Sequence, residues 1–227
     1  MNNRQQGFTL VEIAIVLVII GLLLGGILKG QEMIVQAKIK NAITDYSGVS
    51  AAYFGYQDRY RATPGDDAGA GRWTGAIVSP TSDRVLSGLY NAACPAVAVA
   101  ATPESCLWWD HLRRSGFVSG SGSIQPSNAF NGILGVQTGD GGATPAAVLP
   151  APPTTGGFTA LIMCSSNLPD KVAIALDVQM DDGASNLGFV RATLQTGATS
   201  PDIIATTALA AAYAETGTNL YTLCRQF

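Results

Sequence analysis

A carboxylate stands inside an otherwise apolar stretch near the start of the chain. From Phe8 to Leu28 the only polar side chains are those of Thr9 and Glu12. A charged carboxylate at membrane depth costs about 3 kcal/mol on insertion scales, so we expect it to have a cationic partner. If residues 1–7 were removed, Phe8 would carry a free amine about one helical turn from Glu12, within reach of the Glu12 of a neighbouring subunit. The pattern predicts that one subunit neutralises the charge of another.

The apolar stretch has the length of a membrane-spanning helix. At about 1.5 Å per residue, residues 8–28 extend about 31 Å as an α-helix, which matches the hydrocarbon core of a bilayer. A secretory signal peptide would place a small-residue cleavage site after the apolar run, and no such site follows Leu28 before the polar residues 29–32. Cleavage after the span is therefore not indicated.

The residues GFTLVE, Gly7 to Glu12, resemble the signature of type IV prepilins, which pilins and type II secretion pseudopilins share. The resemblance includes the short polar leader with Arg4, Gly7 before the cleavage point, Phe8 after it and the unbroken apolar run 13–24. It implies that a prepilin peptidase cuts between Gly7 and Phe8 and methylates the new amine. It also implies that Glu12 acts in assembly.

The resemblance implies partners and a location as well. The partners are the prepilin peptidase, other pilin or pseudopilin subunits and an inner-membrane assembly platform. The chain would first span the bacterial inner membrane once, with its head in the periplasm, and would then enter a pilus or pseudopilus filament that can reach the cell surface. No cofactor is expected.

A helical stripe follows the span. Apolar residues recur there in steps of four and three, at Val35, Ile39, Ala42, Tyr46, Val49, Tyr53, Tyr56 and Tyr60. Such a stripe is typical of one helix face, and its four tyrosines favour packing against a sheet over a coiled coil. The helix is expected to stop near Ala62, because Pro64 disfavours helical geometry at the residue before it.

These features predict an α+β protein, in which a long N-terminal helix packs on an antiparallel sheet in a pilin-like head. We divide the chain into four parts: a leader (1–7), a transmembrane and polymerisation helix (8–28), the amphipathic half of the stalk helix (29–62) and a secreted globular head (63–227).

Four cysteines lie beyond the apolar segment, at Cys94, Cys106, Cys164 and Cys224. None forms a CxxC pair and His111 is the single histidine, so a structural metal site has too few ligands at short spacing. Disulfides in an oxidising compartment fit better, and buried free thiols are the alternative. Of the three possible pairings we favour Cys94 with Cys106 and Cys164 with Cys224, because each bond then closes a local loop or joins neighbouring strands.

Two segments of the head also resemble parts of a group of pilin-like proteins. TPGDDA, residues 63–68, predicts a turn after the stalk, in which Asp66 and Asp67 form Asx turns; a calcium site is the alternative. WWDHLRRSGFVSG, residues 108–120, predicts a short amphipathic helix that ends at Gly116.

His111 lies in that second segment, and we expect its neighbours Trp108 and Leu112 to face inward. A catalytic histidine needs a nucleophile and an orienting acid, and no recognisable motif supplies either. We therefore expect His111 to pack or to form hydrogen bonds.

The remainder of the head predicts a loop followed by strands. Residues 119–157 are rich in Gly, Ser, Thr, Ala and Pro, which is typical of a long variable surface loop. Strands are predicted at 158–164, 171–180, 188–194 and 221–224.

The connections between these strands are also predicted. Asp182-Gly183 lies between the second and third strands and indicates a hairpin. Asp181 and Asp182 are further cation candidates, with a turn as the first interpretation. A short helix is expected from Pro201 to Ala214.

The charge pattern excludes one class of partner. The formal net charge is −3 and the basic residues are scattered, so no basic face for nucleic acid is expected. The leading interpretation is a structural, non-enzymatic subunit that polymerises through its hydrophobic helix. The alternatives are a type II secretion pseudopilin, a minor tip pilin whose loop 119–157 binds a surface or partner, and a membrane-tethered periplasmic enzyme, for which the sequence supplies no convergent acid, base or metal set.

Overall fold

The structure is a computed structural model that describes residues 9–79, 81–139, 148–149, 157–195 and 212–227. The chain divides into two compact units, one ending at Lys40 and the other running from Asn41 to Phe227. Gly7 and Phe8 lie outside the described residues, as do large parts of the predicted loop 119–157 and of the predicted helix 201–214. The described end of that predicted helix, residues 212–214, is not helical.

The elements in chain order are α1 Leu10–Tyr60, a 3-10 turn Ala70–Arg72, α2 Glu104–Arg114, β1 Leu134–Thr138, β2 Leu161–Pro169, α3 Asp170–Met180, β3 Val190–Gln195 and β4 Leu220–Gln226. The four strands form one sheet in the order β1-β2-β4-β3, and all neighbours are antiparallel. A long N-terminal helix and an antiparallel sheet make the α+β, pilin-like architecture that the sequence predicts.

Within the second unit, α1 contributes one apolar stripe to the core. The buried residues are Ala42, Tyr46, Val49, Ala52 and Tyr56. Their steps of three and four confirm the middle of the predicted helical stripe, since these positions fall on one face of a helix. Towards the helix end, Ala52 is buried where the sequence predicts Tyr53, and Tyr53 and Tyr60 are half-buried, while Val35 is exposed. The Tyr46 hydroxyl donates to a main-chain carbonyl oxygen of β4 over 2.8 Å, which ties the helix to the sheet. The helix ends at Tyr60, within two residues of the predicted end.

Helix α2 follows Pro103 and begins four residues before the predicted segment. Trp108 and Leu112 are buried as predicted, but every residue from Glu104 to Leu112 is buried, so the helix is enclosed on all sides and is not amphipathic as predicted. Its end is a Schellman motif, in which the Phe117 N–H donates to the Leu112 carbonyl and the Gly116 N–H donates to the carbonyl three residues earlier. Gly116 has a φ of 81°, which glycine adopts without steric cost. The predicted helix end at this glycine is therefore confirmed.

The predicted strand at 171–180 is wrong, because these residues form α3. The buried residues Val172, Ala173 and Leu176 share one helix face, whereas Val178 is 60% exposed although a strand would place it beside Leu176. The predicted hairpin between this segment and residues 188–194 is wrong as well. The second strand of that pair exists as β3, and it pairs with β4 instead.

Residues 119–157 are not a loop throughout, because they contain β1. Leu134 and Val136 are buried in this strand, and the Tyr90 N–H donates to the Gln137 side chain over 3.0 Å. The Tyr90 backbone also lies over Gly135, which shares a face of β1 with Gln137, so the segment around Tyr90 packs on that face. The remaining predicted strands exist with shifted bounds, since β2 begins three residues after Phe158 and β4 extends beyond the predicted 221–224.

Candidate functional site

Helix α1 begins with reciprocal hydrogen bonds between Thr9 and Glu12. The Thr9 N–H donates to Glu12 Oε2 over 2.8 Å, and the Glu12 N–H donates to Thr9 Oγ1 over 3.3 Å. This is a capping box, in which the residue before a helix and the third helical residue satisfy each other's backbone donors. The Thr9 hydroxyl also donates to Oε2 over 2.8 Å. Glu12 is therefore held at the first turn, where the helix dipole favours negative charge.

Sequence reasoning identifies Glu12 but misses Thr9. The signal is present in the sequence, because Thr9 and Glu12 have the T-x-x-E spacing of a capping box just before an apolar run. Thr9 is the residue that fixes the orientation of the carboxylate.

One oxygen of Glu12 remains open. Both Thr9 donors reach Oε2, and Oε1 has no hydrogen-bond partner among the described residues. The side chains around it, such as Val11 and Ile15, are apolar and exposed. In the described part of the chain, α1 is the one helix that is long and apolar enough to cross a membrane. A carboxylate with an open oxygen on such a surface is able to accept a cation from another chain.

Asp67, in the turn after α1, is the centre of a buried polar cluster. Its carboxylate accepts hydrogen bonds from the Tyr56 hydroxyl at 2.5 Å, the Gly69 N–H at 2.7 Å and Arg72 Nη1 at 2.7 Å. Burial acts to raise the pKa of Asp67, yet these donors hold the pKa below its usual value. The Arg72 guanidinium stacks on the Tyr60 ring, with its Cζ 4.6 Å from the ring centroid. Asp67 therefore joins the turn to the end of α1.

Asp66 points the other way and meets the start of α2. Its carboxylate and that of Glu104 share the hydroxyls of Ser79 and Thr81, and the Ser79 hydroxyl lies 3.1 Å from Asp66 Oδ1. The Arg84 N–H donates to the second Asp66 oxygen. Burial opposes ionisation of Glu104, but its hydroxyl and N–H donors lower its pKa overall. Asp67 thus forms the predicted Asx turn through the Gly69 N–H. The donors to Asp66 come from residues 79, 81 and 84, so its predicted Asx turn is not found within the residues that the structure describes.

His111 is fully buried and uses both ring nitrogens. The Gly65 N–H donates to Nδ1 over 2.9 Å, and Nε2 lies 2.9 Å from the Ile77 carbonyl oxygen. The ring therefore carries its proton on Nε2 and is neutral. Burial lowers the pKa of His111 below its usual value, since a charged ring would be desolvated. This geometry matches the expected role in packing and hydrogen bonding.

The four cysteines form the two bonds that the sequence favours, Cys94 with Cys106 and Cys164 with Cys224. The first closes a loop before α2, with a Cα–Cα distance of 5.4 Å. The second joins directly opposed residues of β2 and β4. All four cysteines of the chain are thereby paired.

Asp181 and Asp182, the other cation candidates, lie beside Asp177 at the end of α3. Carboxylate oxygens of the three residues lie within 4.8 Å of one another. Each residue accepts a hydrogen bond from a backbone N–H of the following segment, over 2.8 to 3.2 Å. Burial raises the pKa of Asp177, and the two neighbouring carboxylates add to this effect. The group caps the connection from α3 to β3.

The start of α1 is also where the chain is similar to known proteins. Residues 2–28 match the family model of the prokaryotic N-terminal methylation motif, which is the signature of type IV pilins and pseudopilins. The match confirms the resemblance drawn from GFTLVE and supports a type IV pilin-like or pseudopilin protein. It implies processing by a prepilin peptidase, membrane anchoring and assembly with other pilin subunits. No curated protein and no solved structure matches the chain.

Proposed function

We propose that the chain is a structural subunit of a type IV pilus or pilus-like filament, and that it polymerises through α1 after a prepilin peptidase removes residues 1–7. The observation that carries the proposal is the state of Glu12. Its carboxylate is oriented by Thr9, keeps one open oxygen and lies in an exposed apolar helix that bears the methylation motif.

The physical basis is the cost of burying a charge. In a filament, apolar helices pack together and Glu12 loses its water, which is unfavourable unless a cation pairs with the carboxylate. The Phe8 amine of an adjacent subunit is such a cation. The capping box holds Oε2 within its own helix, so Oε1 is the oxygen that receives the neighbouring amine.

We further propose that the chain has no catalytic role. The supporting observation is that the single histidine has both ring nitrogens bonded to backbone groups.

The main alternative to a pilus subunit is a type II secretion pseudopilin, which shares the signature and the assembly logic. Imaging of surface filaments labelled for this protein in its native host distinguishes the two roles.

The first test concerns processing. Intact-mass measurement of the protein from its native host is expected to show loss of Met1 to Gly7 and one added methyl group on Phe8. A mature protein that retains the leader contradicts the proposal.

The second test separates the charge of Glu12 from its cap. Glu12→Gln keeps an oxygen that can accept from Thr9 but removes the charge, whereas Thr9→Val removes the hydroxyl and keeps the charge. We expect Glu12→Gln to abolish or misregister assembly and Thr9→Val to weaken it less. Glu32→Gln is the matched control, because Glu32 is an exposed acid on the same helix that pairs with Lys29.

The readout is incorporation of tagged variants into filaments alongside wild-type subunits. Glutamine is neutral, and its amide costs no more to bury in a membrane than a charged carboxylate, so a simple membrane anchor would tolerate Glu12→Gln. Filaments that take up Glu12→Gln as readily as wild type therefore refute a role of this carboxylate in assembly.

A further inference from the structure

A polar pocket lies where the chain leaves α1, away from the N-terminal site. It has a volume of about 280 Å³ and belongs to the unit that begins at Asn41. Its lining residues are Gln57, Arg61, Ala62, Thr63 and Arg84. Two of these five residues are arginines, so the pocket gathers positive charge on a chain whose formal net charge is −3.

Both arginines have a left-handed backbone. Arg61 has a φ of 56° and Arg84 a φ of 67°. Arg61 occupies the position after a helix end that glycine or asparagine usually takes. Its N–H donates to the Gln57 carbonyl over 2.9 Å, and the Arg84 N–H donates to Asp66, so the surrounding structure holds each residue in this conformation. Non-glycine residues kept in such conformations cluster at binding sites.

The two charges are poorly compensated. Arg61 lies 3.5 Å from Asp58, but both side chains are 83% exposed, and an ion pair of this kind contributes little. Arg84 forms no ion pair with any residue that the structure describes.

We infer that this pocket binds an oxyanion, a carboxylate or phosphate group, between the guanidinium groups of Arg61 and Arg84. A guanidinium presents a planar fork of N–H donors that matches two oxygens of such a group, and two forks leave few oxygens unpaired. The Gln57 side-chain amide donates one N–H to the Tyr53 hydroxyl over 2.7 Å, so its second N–H is the neutral donor left for an anion. The carbonyl groups at the end of α1 disfavour an anion, so the affinity depends on the arginines. The source of the oxyanion is either a free ion or a carboxylate of another copy of this chain.

The test uses the full chain in detergent micelles. Inorganic phosphate and acetate are titrated at constant ionic strength, and the side-chain N–H signals of arginine are followed by NMR. Arg61→Asn and Arg84→Asn remove one guanidinium each, and asparagine tolerates the left-handed backbone. Arg59→Gln is the matched control, because Arg59 is an exposed arginine in the last turn of α1 that does not line the pocket.

We expect saturable binding of at least one of the two ions, weakened at least tenfold by each pocket variant and less than twofold by Arg59→Gln. Binding that is absent, does not saturate or is the same in all variants overturns the inference. The same titration on assembled filaments identifies the source. If a neighbouring carboxylate fills the pocket, the ion no longer binds there, and if the ligand is free, binding persists.

Discussion

The clearest test of the polar cluster after α1 is the substitution Asp67→Asn. Asparagine has nearly the same shape as aspartate, so the packing of the turn is retained. The change removes the negative charge that Arg72 contacts. It also puts an NH₂ group in place of one carboxylate oxygen, where it faces either the Gly69 N–H or both the Tyr56 hydroxyl and Arg72 Nη1. The Asp67 side chain is 3% exposed, so water cannot replace the lost interactions.

The expected loss of stability follows from the burial of the two partners. Breaking a fully buried ion pair costs about 3 to 5 kcal/mol. The Arg72 side chain is 33% exposed and remains partly hydrated, so the cost is smaller. Hydrogen bonds to a charged group contribute about 1.5 to 3 kcal/mol and neutral ones about 0.5 to 1.5 kcal/mol. We therefore expect Asp67→Asn to lower the free energy of unfolding by about 2 to 3 kcal/mol.

The assay is urea unfolding of the full chain in detergent, with its disulfides intact and tryptophan fluorescence as the signal. All three tryptophans lie in the unit that contains the cluster, and Trp73 contacts Arg72 directly. Asp58→Asn is the control, because the ion pair of Asp58 is solvent-exposed and its loss is expected to cost less than about 0.5 kcal/mol.

The pH dependence gives a second readout. The pKa of Asp67 in the folded chain lies below its usual value of 3.8. A lowered folded pKa stabilises the protein above the unfolded pKa, and this stability is lost as the pH falls through 3.8 towards the folded pKa. The difference between wild type and Asp67→Asn is therefore constant at neutral pH and shrinks in strong acid. An equal effect of Asp58→Asn refutes the structural role of the buried cluster. A difference that vanishes when EDTA is added favours a cation site instead.

Two further substitutions test the neighbouring contacts. The pKa of His111 in the folded chain lies below its usual value of 6.5, so wild type is expected to lose stability as the pH falls below 6.5. The variant His111→Asn has no histidine, so urea unfolding is expected to show no such loss between pH 7 and 5. Gly65→Ala is expected to lower the free energy of unfolding by more than about 1 kcal/mol. Gly65 has a φ of 83°, and an added Cβ would lie 2.4 Å from the Glu104 carbonyl oxygen. Gly116→Ala is its control, with a φ of 81° but no atom within 4 Å of the added Cβ, and an equal loss in both variants contradicts the proposed clash.

The features that the sequence predicts well are those with a strong local signal. The stripe from Ala42 to Tyr56 repeats over several helical turns, and Gly116 marks a helix end by its own conformational freedom. The Glu12 signal is also local, because a lone carboxylate in an apolar run is costly wherever the rest of the chain goes.

The partners of the polar turn are not predictable in the same way. Asp66 and Asp67 are recognisable as turn formers from their neighbours alone. The Asp67 bond to Arg72 depends on how the 3-10 turn folds back against the end of α1. The hydroxyls that Asp66 shares with Glu104 depend in the same way on where α2 begins. Strand β1 was missed for a related reason, because five residues within a Gly- and Ser-rich region carry too little periodicity to stand out.

The segment 170–180 shows why an apolar pattern alone does not decide between strand and helix. Every second residue from Val172 to Met180 is apolar, as in a half-buried strand, but Val172, Ala173 and Leu176 also fit a helix face. The environment decides between the two patterns. Pro169 lacks an N–H and ends β2, and Asp170, at the first helical position, accepts hydrogen bonds from the backbone of residues 216 and 217. As a helix, the segment also places Asp177 where the Tyr213 hydroxyl and the next turn can reach it, whereas a strand would leave Asp177 on the face opposite Leu176 without these donors.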